Sequence, residues 1–319
     1  MELYPFLLSH VTKSPIWGGT RLIEGWGKKT EAETVGESWE LTVRKSEKSM
    51  ILNGALAGRT LESVIAESGV NFIATDYTSR EFPLLVKLID ACDRLSVQVH
   101  PNDDYAARVE NDRGKTEMWY IVEADEDAEI ICGLRDGATA EDFAASVREG
   151  DYERELKRCS VHPGETYFIP AGLPHAIGKG VLIAEIQQNC DLTYRVYDYN
   201  RRQPDGSLRE LHVEKALEVV RPFTSEEINE IRYARRSDTL AGGEILADCE
   251  YFRVERLNVK KAYKLPASAE MRHLLCLEGK GTLHYNGEDY PISKGDSYLL
   301  PPLPAMTVEG DFTVLVSGV

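Results

Sequence analysis

Gly164-Glu-Thr-Tyr-Phe-Ile-Pro170 returns near the end of the chain as Gly295-Asp-Ser-Tyr-Leu-Leu-Pro301. Each copy reads glycine, acid, hydroxyl, tyrosine, two apolar residues and proline. A turn, a short apolar strand and a second turn make such a pattern, and a repeated unit implies repeated architecture. Each copy also follows a hairpin-like stretch, Tyr120–Leu134 and His273–Tyr285, the second closed by Asn286-Gly287, a two-residue turn signal. The repeat therefore predicts two related β-barrels.

Working outward, short β-rich runs separated by glycine, proline and Asn-Gly turns fill most of the chain. They include Pro83–Asp90, Leu95–His100, Trp119–Glu123, Glu129–Leu134, Val181–Gln187 and Tyr251–Val259. Helical signals are few. Leu61–Ser68 follows Thr60, Thr139-Ala-Glu-Asp opens a capped turn ahead of Phe143 and Val147, and His212–Val220 and Ser225–Ile231 are short candidates. The expected fold is mostly β: two jelly-roll barrels with a small helical insertion. Five residues past the proline, the first copy holds His175 and the second Met306. A metal is thus expected only in the first barrel. We place a catalytic, metal-binding domain over 1–235 and a degenerate one without metal over 236–319, divided in the charged stretch Tyr233–Thr239.

The composition excludes several classes of function. A chain of 319 residues with 42% hydrophobic and 28% charged residues is an ordinary globular protein of about two domains. The formal charge of −16 argues against nucleic acid or an anionic membrane as a partner. No apolar run is long enough to span a bilayer, and Met1–His10 lacks the pattern of a secretion signal. The six cysteines are scattered and form no C-x-x-C pair, which predicts free thiols in a reducing cytoplasm.

The chemistry concentrates in three segments. On a strand, Ser96, Gln98 and His100 share one face, and Leu95, Val97 and Val99 the other. In Gly114-Lys-Thr-Glu-Met-Trp-Tyr120, extended backbone directs Lys115 and Glu117 to the same side. The turn Pro170-Ala-Gly-Leu-Pro-His175 delivers a second imidazole. Taken singly, each histidine reads as a packing residue. Together, Gln98, His100, Glu117 and His175 inside one barrel make a site for a divalent ion with nitrogen and oxygen ligands, and zinc fits best. Farther on, Glu185 stands in an otherwise apolar strand, where a charge is costly unless paired or functional. A structural Glu185–Arg195 ion pair is one reading, and a shared pocket with the metal is the other. Arg201 and Arg202 are planar donors suited to a phosphate, or else solvated surface residues.

The blocks Ser96-Val-Gln-Val-His-Pro101, Gly114–Tyr120, Pro170–Gly178 and Glu185-Ile-Gln-Gln-Asn-Cys-Asp-Leu-Thr-Tyr-Arg-Val-Tyr-Asp-Tyr199 resemble the signatures of class I mannose-6-phosphate isomerase, a zinc-dependent cupin. Trp17-Gly-Gly19 and Gly36-Glu-Ser-Trp-Glu40 are similar to its N-terminal blocks, although alone they read as turns and buried aromatics. The resemblance covers residues 5 to 220 in order, and the length is that of the short bacterial form. It implies one zinc ion held by Gln98, His100, Glu117 and His175. It also implies an active-site arginine at Arg195, a pocket lined by Ser96, Lys115 and Glu185, and Arg201 on the phosphate side.

The implied reaction interconverts mannose 6-phosphate and fructose 6-phosphate through an enediol, with zinc and Arg195 stabilising the charge that develops on oxygen. Glu185, if burial raises its pKa, Lys115, if its own is depressed, or a hydroxide on the metal could move the proton. Two rival functions are a non-haem iron oxygenase, which would consume oxygen, and a sugar-phosphate-binding cupin with no turnover. The expected partner is a small sugar phosphate.

Overall fold

The structure, a computed structural model, describes residues 2–68, 72–74, 81–235 and 239–319. Part of the stretch expected to separate the two barrels, 236–238, lies outside the described residues.

Three antiparallel sheets carry the molecule. The first runs, in spatial order, Val11–Lys13, Glu37–Leu41, Leu84–Ala91, Val181–Gln188, Glu117–Ala124 and Thr166–Ile169. The second runs Tyr194–Tyr197, Val97–Val99, His175–Ile177, Glu129–Leu134 and Leu156–Ser160. These two sheets pack face to face around Ile89, Trp119, Ile121, Ile130, Ile177 and Ile183 and form the first barrel.

The first sheet is covered on both sides, which accounts for its nearly unbroken apolar strands. Its outer face, including Leu84, Val86, Leu88, Ala184 and Ile186, packs against Val254, Leu275, Leu299 and Leu315 of the third sheet. The second sheet turns Val97, Val99, Tyr194 and Val196 outward against Phe143, Val147 and Ala216 of the helices. That alternation fixes the direction of the polar residues between them. Gln98 and Arg195 must face the barrel interior.

The third sheet contains Gly243–Asp248, Arg253–Leu265, Arg272–Tyr285, Glu288–Ser293, Ser297–Leu300 and Met306–Gly318. It also takes in Phe6–Leu7, which pairs with Tyr298 and Leu299. The start of the chain is thus stitched into the C-terminal barrel, so a division by sequence alone separates residues that the sheet joins. Leu257, Leu274, Leu283, Met306, Phe312 and Val314 fill that barrel. The repeated motif is visible as matched geometry. Gly164 and Gly295 both have left-handed backbone, φ +92° and +88°, a conformation open mainly to glycine. Each leads into its strand, Thr166–Ile169 and Ser297–Leu300.

The helices are local, as the sequence implies. Thr139 and Asp142 cap Ala140–Arg148 reciprocally, and Thr224 and Glu227 do the same for Ser225–Arg232. Among the described residues, no helix is long and apolar enough to cross a membrane. All six cysteines are free thiols, three of them buried.

Candidate metal centre and active site

Three strands converge on a buried polar cluster inside the first barrel. His100 lies one residue past strand Val97–Val99, Glu117 opens strand Glu117–Ala124 and His175 opens His175–Ile177. All three are buried, and one ligand atom from each lies within 4.8 Å of the others. His175 Nε2 is 3.3 Å from Glu117 Oε1, and His100 Nε2 is 3.6 Å from Glu117 Oε2.

The donor chemistry fits a divalent cation. His175 Nδ1 lies 2.8 Å from the Leu173 carbonyl. A carbonyl only accepts, so Nδ1 carries the proton and Nε2 presents its lone pair to Glu117. Burial lowers the pKa of both imidazoles, His175 to about 4 and His100 well below its ordinary value. Both are therefore neutral ligands at pH 7. Among the described residues neither Nε2 has a hydrogen-bond partner, a costly condition for a buried nitrogen that an ion would relieve. Gln98 is the direct cross-strand neighbour of His175, and side chains of such pairs share a face.

The same register extends to Arg195, which sits opposite Gln98 on its other side. Arg195, Gln98 and His175 form one row across the inner face of the second sheet. The Arg195 Nη1 donates to the Glu210 carbonyl at 2.8 Å. Its Nε is buried and makes no hydrogen bond among the described residues. Ser96 is buried, and strand alternation puts it on the side of Gln98.

The first sheet supplies the opposing charges. Lys115 Nζ lies 2.9 Å from Glu117 Oε2 and 4.0 Å from Glu185 Oε1. The Trp119 indole N–H donates to both carboxylates, at 3.1 Å each. Lys87, which the sequence reading passed over, lies 3.2 Å from Glu185 Oε1 and is buried. Its signal was available: Lys87 interrupts an apolar strand just as Glu185 does, and the two are directly opposite in register.

These neighbours bear on three readings that the sequence leaves open. Glu185 pairs with Lys87 and Lys115, so the Glu185–Arg195 ion pair is replaced by contacts within the first sheet, while Arg195 belongs to the second. Burial alone would raise the Glu185 pKa, but the two lysines outweigh it and lower it. Burial opposes the charge on Lys115, yet Glu117 and Glu185 outweigh it and raise its pKa. For Glu117 the balance falls the other way: burial and the Glu185 carboxylate raise its pKa against the pull of Lys115.

Arg201 stands elsewhere. Its guanidinium pairs with Asp198 Oδ1 at 2.6 Å and Asp93 Oδ2 at 3.3 Å and lies over the Tyr199 ring. Its charge is already matched by carboxylates, which disfavours the phosphate role expected of it. Arg202 donates to the Gly206 carbonyl in its own loop.

Comparison with known proteins agrees with this geometry. Residues 6–139 match the family model for the phosphomannose isomerase type I catalytic domain, and residues 244–319 that for the mannose-6-phosphate isomerase cupin domain. The chain is 37% identical to mannose-6-phosphate isomerase ManA of Bacillus subtilis (strain 168), over 99% of each chain. It is 34% identical to the mannose-6-phosphate isomerase of Streptococcus mutans, over 98% of each. The crystal structure of the mannose 6-phosphate isomerase from Bacillus subtilis superposes with a TM-score of 0.88 at 34% identity, covering 99% of both chains. With its cupin fold and its buried His-Glu-His cluster, this chain belongs to the type I mannose-6-phosphate isomerase family.

Proposed function

We propose that this chain interconverts mannose 6-phosphate and fructose 6-phosphate, with a single zinc ion held by Gln98, His100, Glu117 and His175. The observation that carries the reading is the row His175–Gln98–Arg195 facing Glu117, Lys115 and Glu185 across one barrel interior. A metal site alone would not need the arginine and the buried lysine. When bound, zinc supplies Lewis-acid polarisation of a substrate oxygen.

The remaining tasks fall to the protein. Aldose and ketose exchange by loss of a proton beside the carbonyl and its return to the neighbouring carbon, with negative charge developing on oxygen between the two events. Arg195 presents a fixed positive charge from the second sheet, and its unmatched Nε faces that demand. Glu185, kept ionised by Lys87 and Lys115, is the carboxylate positioned to take up the proton, and Lys115, 4.0 Å away and held as the ammonium by Glu117 and Glu185, is the group positioned to supply one. Ser96 and Lys115 line the substrate side of the pocket. Arg201 would reach a phosphate only by giving up Asp198 and Asp93.

The division of labour follows the filling of the two barrels. The part over 1–235 holds the polar pocket. The part over 236–319 is packed with aliphatic side chains, Met306 among them, and is proposed to carry no metal. Free thiols and the absence of a long apolar helix among the described residues are consistent with a cytoplasmic enzyme.

The test is an anaerobic coupled assay for fructose 6-phosphate formed from mannose 6-phosphate. Turnover without oxygen is expected and separates the isomerase from an iron oxygenase. Binding of the sugar phosphate without turnover would leave only the binding-protein reading.

A further inference from the structure

Arg195 is held by a strap. The segment after its strand doubles back through a short hairpin, with a bridge between Arg202 and Leu208, and lies along Arg195. Three hydrogen bonds join the two. The His212 N–H donates to the Arg195 carbonyl at 2.7 Å, the Arg195 N–H donates to His212 Nδ1 at 3.4 Å, and Arg195 Nη1 donates to the Glu210 carbonyl at 2.8 Å. The last of these fixes where the guanidinium points.

The strap is anchored at one buried carboxylate. Asp198 is 4% exposed and lies three residues past Arg195. It accepts from Arg209 Nε at 2.7 Å and from Arg209 Nη2, and from Arg201 Nη2 at 2.6 Å. Arg209 immediately precedes Glu210, so the tie from Asp198 to Arg209 sets the height of the carbonyl that receives Arg195. The same carboxylate balances charge. Arg209 and Arg201 both repel Arg195, while Asp198 and Glu210 attract it. Without Asp198, Arg195 would face Arg209 stripped of its carboxylate, Arg201 balanced only by Asp93, and a strap with its main tether cut.

Resting on the assignment of Arg195 above, we propose that Asp198 is a positioning residue for the reaction: through Arg209 and the Glu210 carbonyl it aims the Arg195 guanidinium into the metal pocket. Asp198 touches neither substrate nor metal in this account. Arg201 belongs to the same support.

A double-mutant cycle on the full-length, zinc-loaded enzyme tests this. The variants are Asp198→Asn, Arg195→Ala and the pair combined, with kcat, KM for mannose 6-phosphate, metal content and thermal midpoint read for each. A shift of about 1 Å at a catalytic group costs on the order of 10²-fold. Asp198→Asn should therefore keep its zinc and lower kcat by about 10- to 100-fold, with KM changed by much less. In the Arg195→Ala background the same substitution should change kcat by less than about 2-fold, because its effect runs through the missing side chain. Arg209→Gln cuts the tether from the strap side and should reproduce the kcat loss if Asp198→Asn folds poorly. Near-normal kcat in both Asp198→Asn and Arg209→Gln, or an equal loss with and without Arg195, would overturn the inference while leaving the isomerase reading intact. A normal rate for Arg195→Ala itself would instead remove the assignment on which it rests.

Discussion

Lys87 and Glu185 stand directly opposite each other on adjacent strands of the first sheet, Nζ to Oε1 at 3.2 Å, both buried. Each interrupts a strand whose neighbours are aliphatic, and each faces the barrel interior. Removing Lys87 leaves the buried Glu185 carboxylate only Lys115 at 4.0 Å and the Trp119 N–H, a loss toward the lower end of the about 3–5 kcal/mol typical of a broken buried pair. Lys87→Met should lose stability of that order in urea denaturation. Lys87→Met combined with Glu185→Leu should recover much of it. Equal stability of wild type and Lys87→Met would show that the pair is not desolvated as drawn.

The two barrels differ at one aligned position. His175→Ala should lower zinc content sharply, because it removes a nitrogen whose tautomer the Leu173 carbonyl fixes. Met306→Ala leaves a cavity in the second barrel and should cost about 2–5 kcal/mol of stability while zinc content holds. Metal analysis of both purified variants checks this, and equal loss from each would mean that the metal is not confined to the first barrel.

Arg195→Ala separates binding of metal from chemistry. Arg195 is a cross-strand neighbour of Gln98, but its proposed role is to stabilise charge rather than to hold the metal. Its removal should leave zinc stoichiometry unchanged and lower kcat on the order of 10²–10³-fold. Steady-state kinetics with metal analysis of the same preparation decides it, and a rate close to wild type would contradict the role.

Acid should weaken the fold partly through His273. This histidine is fully buried on strand Arg272–Tyr285, on the face turned away from the second barrel's interior, 2.7 Å from Ser297 Oγ, which itself donates to the Glu40 carbonyl. Burial pushes its pKa down to about 3, with the Lys28 charge adding to the effect. Between about pH 6.5 and 3 the unfolded chain therefore binds a proton here that the native protein refuses. Stability is fully retained above pH 6.5 and falls as pH drops through that window, by up to about 1.4 kcal/mol per unit for this group. His273→Gln, measured by urea denaturation at pH 7 and pH 5, should lose less stability on acidification than wild type. An unchanged difference would contradict the assignment.

Much of the fold was legible because its strands carry their own punctuation. The matched glycines 164 and 295 mark the repeat in the letters and in the backbone alike. The capping pair Thr139 and Asp142 announces its helix. What was not legible depended on register. Glu37–Leu41 reads as a turn with a buried tryptophan until Leu84–Ala91 is laid beside it. Asp103–Val109 carries two charges in its first turn and buries only Ala106, so its apolar signal is faint. The residues proposed to hold the metal could be read from alternation within single strands for Gln98, His100 and Glu117, and from a tight turn for His175. Lys87 could not be assigned a partner without the pairing that sets it against Glu185, and Arg201 could not be told from a free phosphate donor without the fold that brings Asp198 and Asp93 to it.

Isomerisation is proposed to depend on one ion held by His100, Glu117, His175 and Gln98. The direct measurement is a zinc titration of chelator-stripped enzyme, following bound metal and fructose 6-phosphate formation in the same sample. Activity should be absent at the start, rise in proportion to bound zinc and level off at one ion per chain. Turnover that persists after verified removal of metal, or that fails to track occupancy, would contradict the account.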